Sequence, residues 1–181
     1  MKKITKIFTT LSLVALLGSC SLSNLRYKEV SYATFKEKAL ATAEKREELE
    51  EFTEIEAKVK VEKDGSKTES TVRLAEDDSR NQGTEEEQIT LTFIVLFTVD
   101  FYFGEYGEFN TEEVAEGKAK FYTERLINKR LKLEFIPDKE SGDYDETYFI
   151  YNEYGFVIEA SGVTYEANRK VETQVWKITY K

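Results

Sequence analysis

Residues 89–103 place the strongest constraint on the fold, because apolar side chains recur at every second position along their whole length. Every odd-numbered position from Ile89 to Phe103 is apolar, whereas most even-numbered positions hold Thr, Asp or Tyr. A period of two is typical of a β-strand with one buried face. The β-branched and aromatic residues that fill the segment favour the same structure. We therefore expect a long central strand here.

A transmembrane helix is the alternative structure for this segment. Such a helix needs about 20 mostly apolar residues to cross the hydrocarbon core of a membrane. The segment from Ile89 to Phe103 is shorter than that and contains Asp100. The strand is therefore the preferred prediction.

The odd-numbered face of this predicted strand is also the candidate binding site. Its apolar side chains would line a cavity of lipid size beneath the helices, and the candidate lining residues are Phe93, Phe97, Val99, Phe101 and Phe103. The simpler interpretation is that the same side chains fill an ordinary core. Cores are close-packed, so only the folded structure distinguishes a cavity from a filled interior.

The rest of the sequence predicts two helices. Residues 34–37 (Thr-Phe-Lys-Glu) fit a capping box, and an amphipathic helix is expected from there to about Glu51. A second helix, weakened by Gly117, is expected within 110–128. Residues 75–88 carry dense negative charge and no large apolar side chain, which predicts a solvated loop.

Several shorter segments alternate with a period of two and predict strands. Residues 55–61 and 70–74 flank a tight turn at Asp64 and Gly65 and predict a hairpin. Four further strands are expected, with a turn at 162–168 and a bulge near Val175, and they span 130–136, 147–151, 156–160 and 171–180. The predicted fold class is α+β, with two helices packed on one face of a curved, mainly antiparallel sheet of about seven strands.

The N-terminal segment that ends at Cys20 has the order of features found in a secretory signal. Lys2, Lys3 and Lys6 come first, an apolar stretch follows, and Gly18 and Ser19 end it. The apolar stretch is too short to span a membrane stably. Cys20 comes next and is the single cysteine of the chain.

Leu17, Gly18, Ser19 and Cys20 together resemble the lipobox of bacterial lipoproteins. The resemblance extends from Met1 to Cys20 and no further. It implies cleavage after Ser19 and a diacylglyceryl group on the Cys20 thiol. Durable anchoring takes two or three acyl chains, because one chain alone binds a membrane reversibly.

The same resemblance implies an extracytoplasmic protein that is held on a membrane by its lipid. Ser21 is not the aspartate that resembles an inner-membrane retention signal. The expected location is therefore the outer membrane if the source has two membranes, and otherwise the outer face of the cell membrane.

These features divide the chain into a signal peptide (1–19), a lipidated cysteine with a short tether (20–30) and a single α+β domain (31–181). The chain that remains after cleavage, from Cys20 to Lys181, has a length that normally forms one domain. Loss of the three signal lysines changes the net charge from −9 to −12, which disfavours nucleic acid as a partner and gives no general attraction to anionic headgroups. With its one cysteine acylated, the chain forms no internal disulfide.

The order of the elements is similar to that of one superfamily of lipid carriers. A helix followed by a long series of strands, on a lipid-anchored domain, resembles the half-barrel of periplasmic lipoprotein carriers and mycobacterial lipid-binding lipoproteins. The resemblance rests on element order and the lipobox, and it implies a lipid ligand.

No cofactor, metal or catalytic group is expected. The chain contains no histidine, which removes the usual general base and the commonest zinc ligand. The acidic loop 138–146 fails as a calcium loop, because Asp143 stands where glycine is needed and Phe149 where a bidentate glutamate is needed. Paired carboxylates remain as an acid–base device, but no pair stands out. We therefore predict that the protein is not an enzyme.

The sequence thus predicts a noncatalytic, membrane-anchored protein that binds an apolar ligand such as a lipid, or a protein partner. The alternative is a structural or host-facing surface lipoprotein with no small-molecule ligand. The aromatic-rich segment 144–156 admits two interpretations, since exposed tyrosines bind partners and cross-strand packing also favours aromatic residues. Packing is preferred.

Overall fold

The computed structural model describes residues 26–47, 49, 51–105 and 107–181. The lipobox and Cys20 lie outside these residues, so the lipid anchor stays a prediction. The described part contains one open antiparallel sheet of eight strands in the order β1-β4-β5-β6-β7-β8-β2-β3. The strands are β1 (Tyr27–Val30), β2 (Glu54–Lys63), β3 (Ser66–Ala75), β4 (Ala119–Glu124), β5 (Leu131–Phe135), β6 (Tyr144–Tyr151), β7 (Val157–Glu166) and β8 (Arg169–Tyr180).

Three α-helices accompany the sheet in the described part. They are α1 (Tyr32–Arg46), α2 (Glu85–Leu96) and α3 (Glu112–Lys118), and short 3-10 turns occupy Asp78–Arg80 and Val99–Phe103. The α+β class and the antiparallel sheet are confirmed. The counts differ, since the sequence predicted about seven strands and two helices.

The prediction of a long strand at 89–103 is wrong. The segment instead forms most of α2, a short linker and the second 3-10 turn. A capping box starts the helix, in which the Thr84 hydroxyl accepts a bond from the Glu87 amide and the Glu87 carboxylate accepts one from the Thr84 amide. The hydroxyls of Thr90 and Thr92 donate to carbonyls four residues back. Their hydrogen bonds are therefore made within the helix.

The transmembrane alternative finds no support either. Every helix in the described part is too short or too polar to cross a membrane.

The predicted hairpin at 55–74 is confirmed. β2 and β3 pair in register from Glu54 opposite Ala75 to Lys63 opposite Ser66. Asp64 and Gly65 both have positive φ, 51° and 77°, as a tight two-residue hairpin turn requires.

Other predicted boundaries shift. The helix α1 is capped by Ser31 rather than Thr34, and β4 replaces the second half of the predicted helix 110–128. The last hairpin turns at Ala167 and Asn168, and Gly162 lies inside β7 rather than in the turn. The predicted bulge lies at Val171 rather than near Val175, because the register shift between β7 and β8 leaves Val171 without a partner on β7.

The boundaries of two predicted loops also change. Residues 75–88 contain a 3-10 turn and the start of α2. Residues 27–30, which the sequence assigned to the tether, form the edge strand β1 and pair with β4.

Two apolar groups fill the inner face of the sheet, the face on which α1 and α2 pack. Beneath α1, the rings of Phe35 and Phe121 lie 5.1 Å apart, and the buried Phe103 and Phe109 join them. Near α2, the buried side chains are Leu91, Val72, Val59, Trp176 and Ile178. The candidate site lies on the α2 side.

Candidate functional site

The five predicted lining residues do not share one face. Val99 and Phe103 are buried in the core, whereas Phe93 and Phe101 are 58% and 50% exposed, and Phe97 is half-buried. They are spread over a helix, a linker and a 3-10 turn, so the two-residue period that grouped them has no structural counterpart. None of them lines the cleft described next.

A cleft lies between α2 and the inner face of strands β6, β7 and β8. We call it the α2 cleft. Its volume is about 290 Å³. The residues that line it are Ile94 of α2, Thr147 and Phe149 of β6, Ala160, Ser161, Gly162 and Thr164 of β7, and Gln174 and Trp176 of β8.

The strand register explains why a cleft forms here. Phe149, Ala160 and Trp176 are opposite one another on three adjacent strands, which places a small side chain between two large ones. The next row on the same face places Gly162 between Thr147 and Gln174. Successive inward positions of β7 are therefore small, and they form a trough along this strand.

Gly162 keeps the trough open. A Cβ atom added at this position would meet no atom within 4 Å. Glycine weakens a strand interior because it adds no packing and loses more conformational entropy than other residues. Gly162 therefore lowers the stability of the central strand β7. The absence of a side chain at this position leaves open space above the strand.

One end of the trough is polar. Gln174 Nε2 donates to Glu172 Oε1 over 2.6 Å, and the Trp176 indole NH donates to Gln174 Oε1 over 3.4 Å. The bond from Gln174, together with Lys63 at 2.9 Å, lowers the pKa of Glu172. The cleft thus passes from an apolar end at Phe149 and Trp176 to a hydrogen-bonding end at Gln174.

The helix that covers the cleft is apolar on its outer side as well. Ile89, Phe93 and Leu96 are 50%, 58% and 64% exposed, and their spacing places them in one stripe along α2. We call this set the α2 stripe. Leu91, on the opposite side, is the one residue of α2 that is fully buried. The C-terminal half of α2 thus carries apolar side chains on opposite sides, and such a helix surface is normally covered on both.

The acidic loop 138–146 uses its carboxylates to build the turn. Asp143 accepts a bond from the Ala167 amide over 2.7 Å, and Glu146 pairs with Lys139 at 2.9 Å. In the described residues, no group of three or more metal-ligating side chains could hold an ion.

The aromatic segment 144–156 packs across strands, as preferred from the sequence. Tyr144 stacks on Tyr165 at 4.6 Å, Tyr148 donates to Glu159, and the ring of Tyr151 is fully buried. Thr147 and Phe149 lie on the inner face, where they contribute to the cleft.

No protein-family model matches the chain, and no curated protein matches it. Function is therefore argued from the chemistry of the cleft and of the exposed surfaces.

Sequence reasoning missed the residues that form the cleft. The usable signal was the pair of small residues Ala160 and Gly162 at alternate positions of a strand. It becomes informative once β6 and β8 are known to flank that strand with Phe149 and Trp176.

Proposed function

We propose that this protein is a noncatalytic, lipid-anchored extracytoplasmic protein that binds a small apolar or amphipathic ligand in the α2 cleft. The anchor rests on the lipobox-like sequence that ends at Cys20. The binding function rests on one observation, the open trough above Ala160 and Gly162 between larger side chains on β6 and β8.

The size of the cleft favours a ligand with one acyl chain. Small-molecule sites usually occupy about 300–1,000 Å³, and the α2 cleft, at about 290 Å³, lies just below that range. A single-chain amphiphile suits this volume better than a two-chain lipid does. Its chain would contact Phe149, Trp176 and Ile94, and its polar end would bond to Gln174 or Thr164.

The chemistry of the lining favours binding over catalysis. Its polar groups are the hydroxyls of Thr147, Ser161 and Thr164 and the amide of Gln174, which are poor general acids and bases near neutral pH. The Glu172 carboxylate beside them already accepts a hydrogen bond from Gln174 and forms an ion pair with Lys63. Such groups orient a ligand without activating it.

The decisive variant is Gly162→Val, because the added side chain enters the trough. We expect decanol, used as a single-chain amphiphile, to bind to the purified wild-type protein and to bind Gly162→Val at least about tenfold more weakly by calorimetry. Organic extraction should also release less noncovalent lipid from the variant.

The matched control is Gly117→Ala. Gly117 lies in α3, and a Cβ there also meets no atom within 4 Å. This change should leave decanol binding unaltered and raise stability by about 0.5–1 kcal/mol. Equal binding by wild type and a folded Gly162→Val variant would refute the cleft as the ligand site.

The α2 stripe favours a second candidate function, which is binding of a protein partner. Three large apolar side chains on one helix face present the anchors that grooves in partner proteins recognise. Phe93→Gln separates the two functions, since it should abolish contact with a partner in cross-linking of intact cells and leave decanol binding in the cleft unchanged.

A further inference from the structure

The turn between β4 and β5 carries the most exposed large apolar side chain in the described part. Leu126 is 95% exposed and Ile127 is 63% exposed. We call residues 125–130 the β4–β5 turn. An isolated apolar side chain on a surface is ordinary, but two adjacent ones at the tip of a turn are held away from the rest of the fold.

The tip is held in place by a buried carboxylate. Glu124, only 5% exposed, pairs with Arg26 at 2.7 Å. Its second carboxylate oxygen accepts a bond from the Lys129 amide, and its backbone NH donates to the Arg130 carbonyl. Leu126 and Ile127 are therefore presented by a structured turn.

The turn lies directly beside the chain that leads to the lipid anchor. The Arg125 amide donates to the Arg26 carbonyl over 2.9 Å, and Arg125 Nε donates to the Tyr27 carbonyl over 3.0 Å. Cys20 lies only a few positions before Arg26, and about six extended residues span at most about 20–22 Å. A lipid on Cys20 therefore keeps the turn close to the bilayer.

Charge distinguishes the turn from the rest of the molecule. The mature chain has a net charge of −12, yet the β4–β5 turn carries Arg125, Lys129 and Arg130 and no acidic residue. Lys38 and Lys45 of α1 and Lys129 line a neighbouring cleft of about 230 Å³.

Two acidic residues close to these cations are paired. Glu153 lies 2.9 Å from Lys129, and Glu124 pairs with Arg26. The turn is thus a basic, apolar-tipped surface on an acidic protein.

We propose that the β4–β5 turn is a second membrane contact, in which Leu126 and Ile127 enter a bilayer while the surrounding cations bind anionic phosphate headgroups. The inference rests on the proposed anchor at Cys20. Cations next to an anionic leaflet attract it, and apolar side chains between them add contact with the acyl region. The excess negative charge on the rest of the mature chain disfavours orientations that bring acidic surface to an anionic leaflet.

Tethering through Cys20 allows even a weak contact to hold the turn on the membrane. Once an anchor holds the chain, docking of the turn is intramolecular and proceeds at a high effective concentration. The turn then sets the orientation of the domain and directs the opposite end of the strands, with the β2–β3 turn, away from the membrane.

The single cysteine of the chain permits a direct test. When Cys20 is lipidated, an introduced cysteine is the one free thiol. We would attach an environment-sensitive fluorophore to lipidated protein carrying Leu126→Cys, or separately Ile127→Cys, so that one apolar side chain always remains at the tip. Ser66→Cys is the matched control, because Ser66 is exposed and lies at the opposite ends of the antiparallel strands.

In vesicles of phosphatidylcholine with phosphatidylglycerol, labels at 126 and 127 should shift to shorter emission wavelengths and be quenched by brominated lipid, and the label at 66 should not. The shift should shrink in phosphatidylcholine alone and at high salt, because headgroup binding is electrostatic. Labels at 126 and 127 that stay in water on both vesicle types would overturn the proposal. A shift that also occurs without vesicles would overturn it as well, because it would indicate a second copy or a protein partner.

Failure of the anchor gives a separate signal. If Cys20 carries no lipid, each cysteine variant takes up two labels per chain, one on Cys20 and one on the introduced cysteine, and the wild-type protein takes up one. The membrane contact is thereby tested only on chains in which labelling stoichiometry demonstrates a blocked Cys20.

Discussion

A single carboxylate, that of Glu124, joins the start of the described chain to the β4–β5 turn. It receives bonds from the Arg26 guanidinium and, at 3.4 Å, from the Lys129 amide. Buried carboxylates with several donors are costly to remove because their partners lose hydrogen bonds that water does not fully replace. Arg26 is 46% exposed at its side chain, and its hydration reduces that cost.

Glu124→Gln is expected to lower the free energy of unfolding by about 1–2 kcal/mol. Urea unfolding followed by circular dichroism measures the change. Glu69→Gln is the control, because Glu69 also pairs with a lysine but is 70% exposed, and exposed pairs contribute about 0–1 kcal/mol. Similar losses for both variants would contradict the structural role of Glu124.

The helix α2 shows how much one element depends on a few contacts. Leu91 is its fully buried side chain, and Phe93, two residues later, is 58% exposed. On a helix these two positions point in different directions, whereas on a strand they would share a face. Their substitutions therefore distinguish the two structures of this segment.

Leu91→Ala should destabilise the protein by about 2–4 kcal/mol, because it leaves a cavity beneath α2. Phe93→Ala should change stability by less than about 0.5 kcal/mol, as is usual for an exposed position. Thermal and urea unfolding of both variants give the comparison. Large losses at both positions would restore the strand that the sequence predicted.

The prediction for residues 55–74 was right and the prediction for residues 89–103 was wrong. Both results depend on whether the alternation of apolar residues agrees with the local signals beside it. The β2–β3 hairpin was predictable because its alternation and its Asp64-Gly65 turn agree. In 89–103 the alternation conflicts with a helix start at Thr84 and Glu87, which lies just outside the periodic segment. Local capping and tertiary placement on the sheet prevail over a strand-like pattern.

The candidate site was less predictable than the fold. Its defining residues, Ala160 and Gly162, carry no chemistry of their own, and the cleft arises from their neighbours on β6 and β8. Strand order sets those neighbours, and a single sequence does not specify strand order. The prediction of lining residues was wrong for all five aromatic and aliphatic residues, because each of them was chosen from the same incorrect strand.

On the scale of the whole molecule, the buried Tyr102 and the half-buried Tyr148 contribute to the response to alkaline pH. Burial raises the pKa of Tyr102 and of Tyr148 to about 12, and Glu159 beside Tyr148 acts in the same direction. In the unfolded chain a tyrosine has a pKa of about 10. The folded state therefore holds these protons more tightly, and their stabilisation is complete below pH 10 and is lost as pH rises towards 12.

Tyr148→Phe should lose less stability between about pH 10 and 12 than the wild type does, because one of these tyrosines no longer ionises. Urea unfolding at several pH values, with tyrosinate absorbance as a second readout, measures the slope. The same pair compared at pH 7 isolates the lost bond to Glu159. Parallel slopes for the two proteins would show that Tyr148 does not contribute.

The position of β1 has a mechanical consequence. This strand is only four residues long and forms an edge of the sheet, and the chain that leads to Cys20 enters at its first residue. If Cys20 carries the proposed lipid, a pull on that lipid first loads the start of this four-residue strand and its pairing with β4. The Arg26–Glu124 pair and the bonds from Arg125 lie at the loaded end. These bonds oppose separation of β1 from β4, so under the proposed anchor the resistance of the domain to force depends on the end of β1 that leads to Cys20.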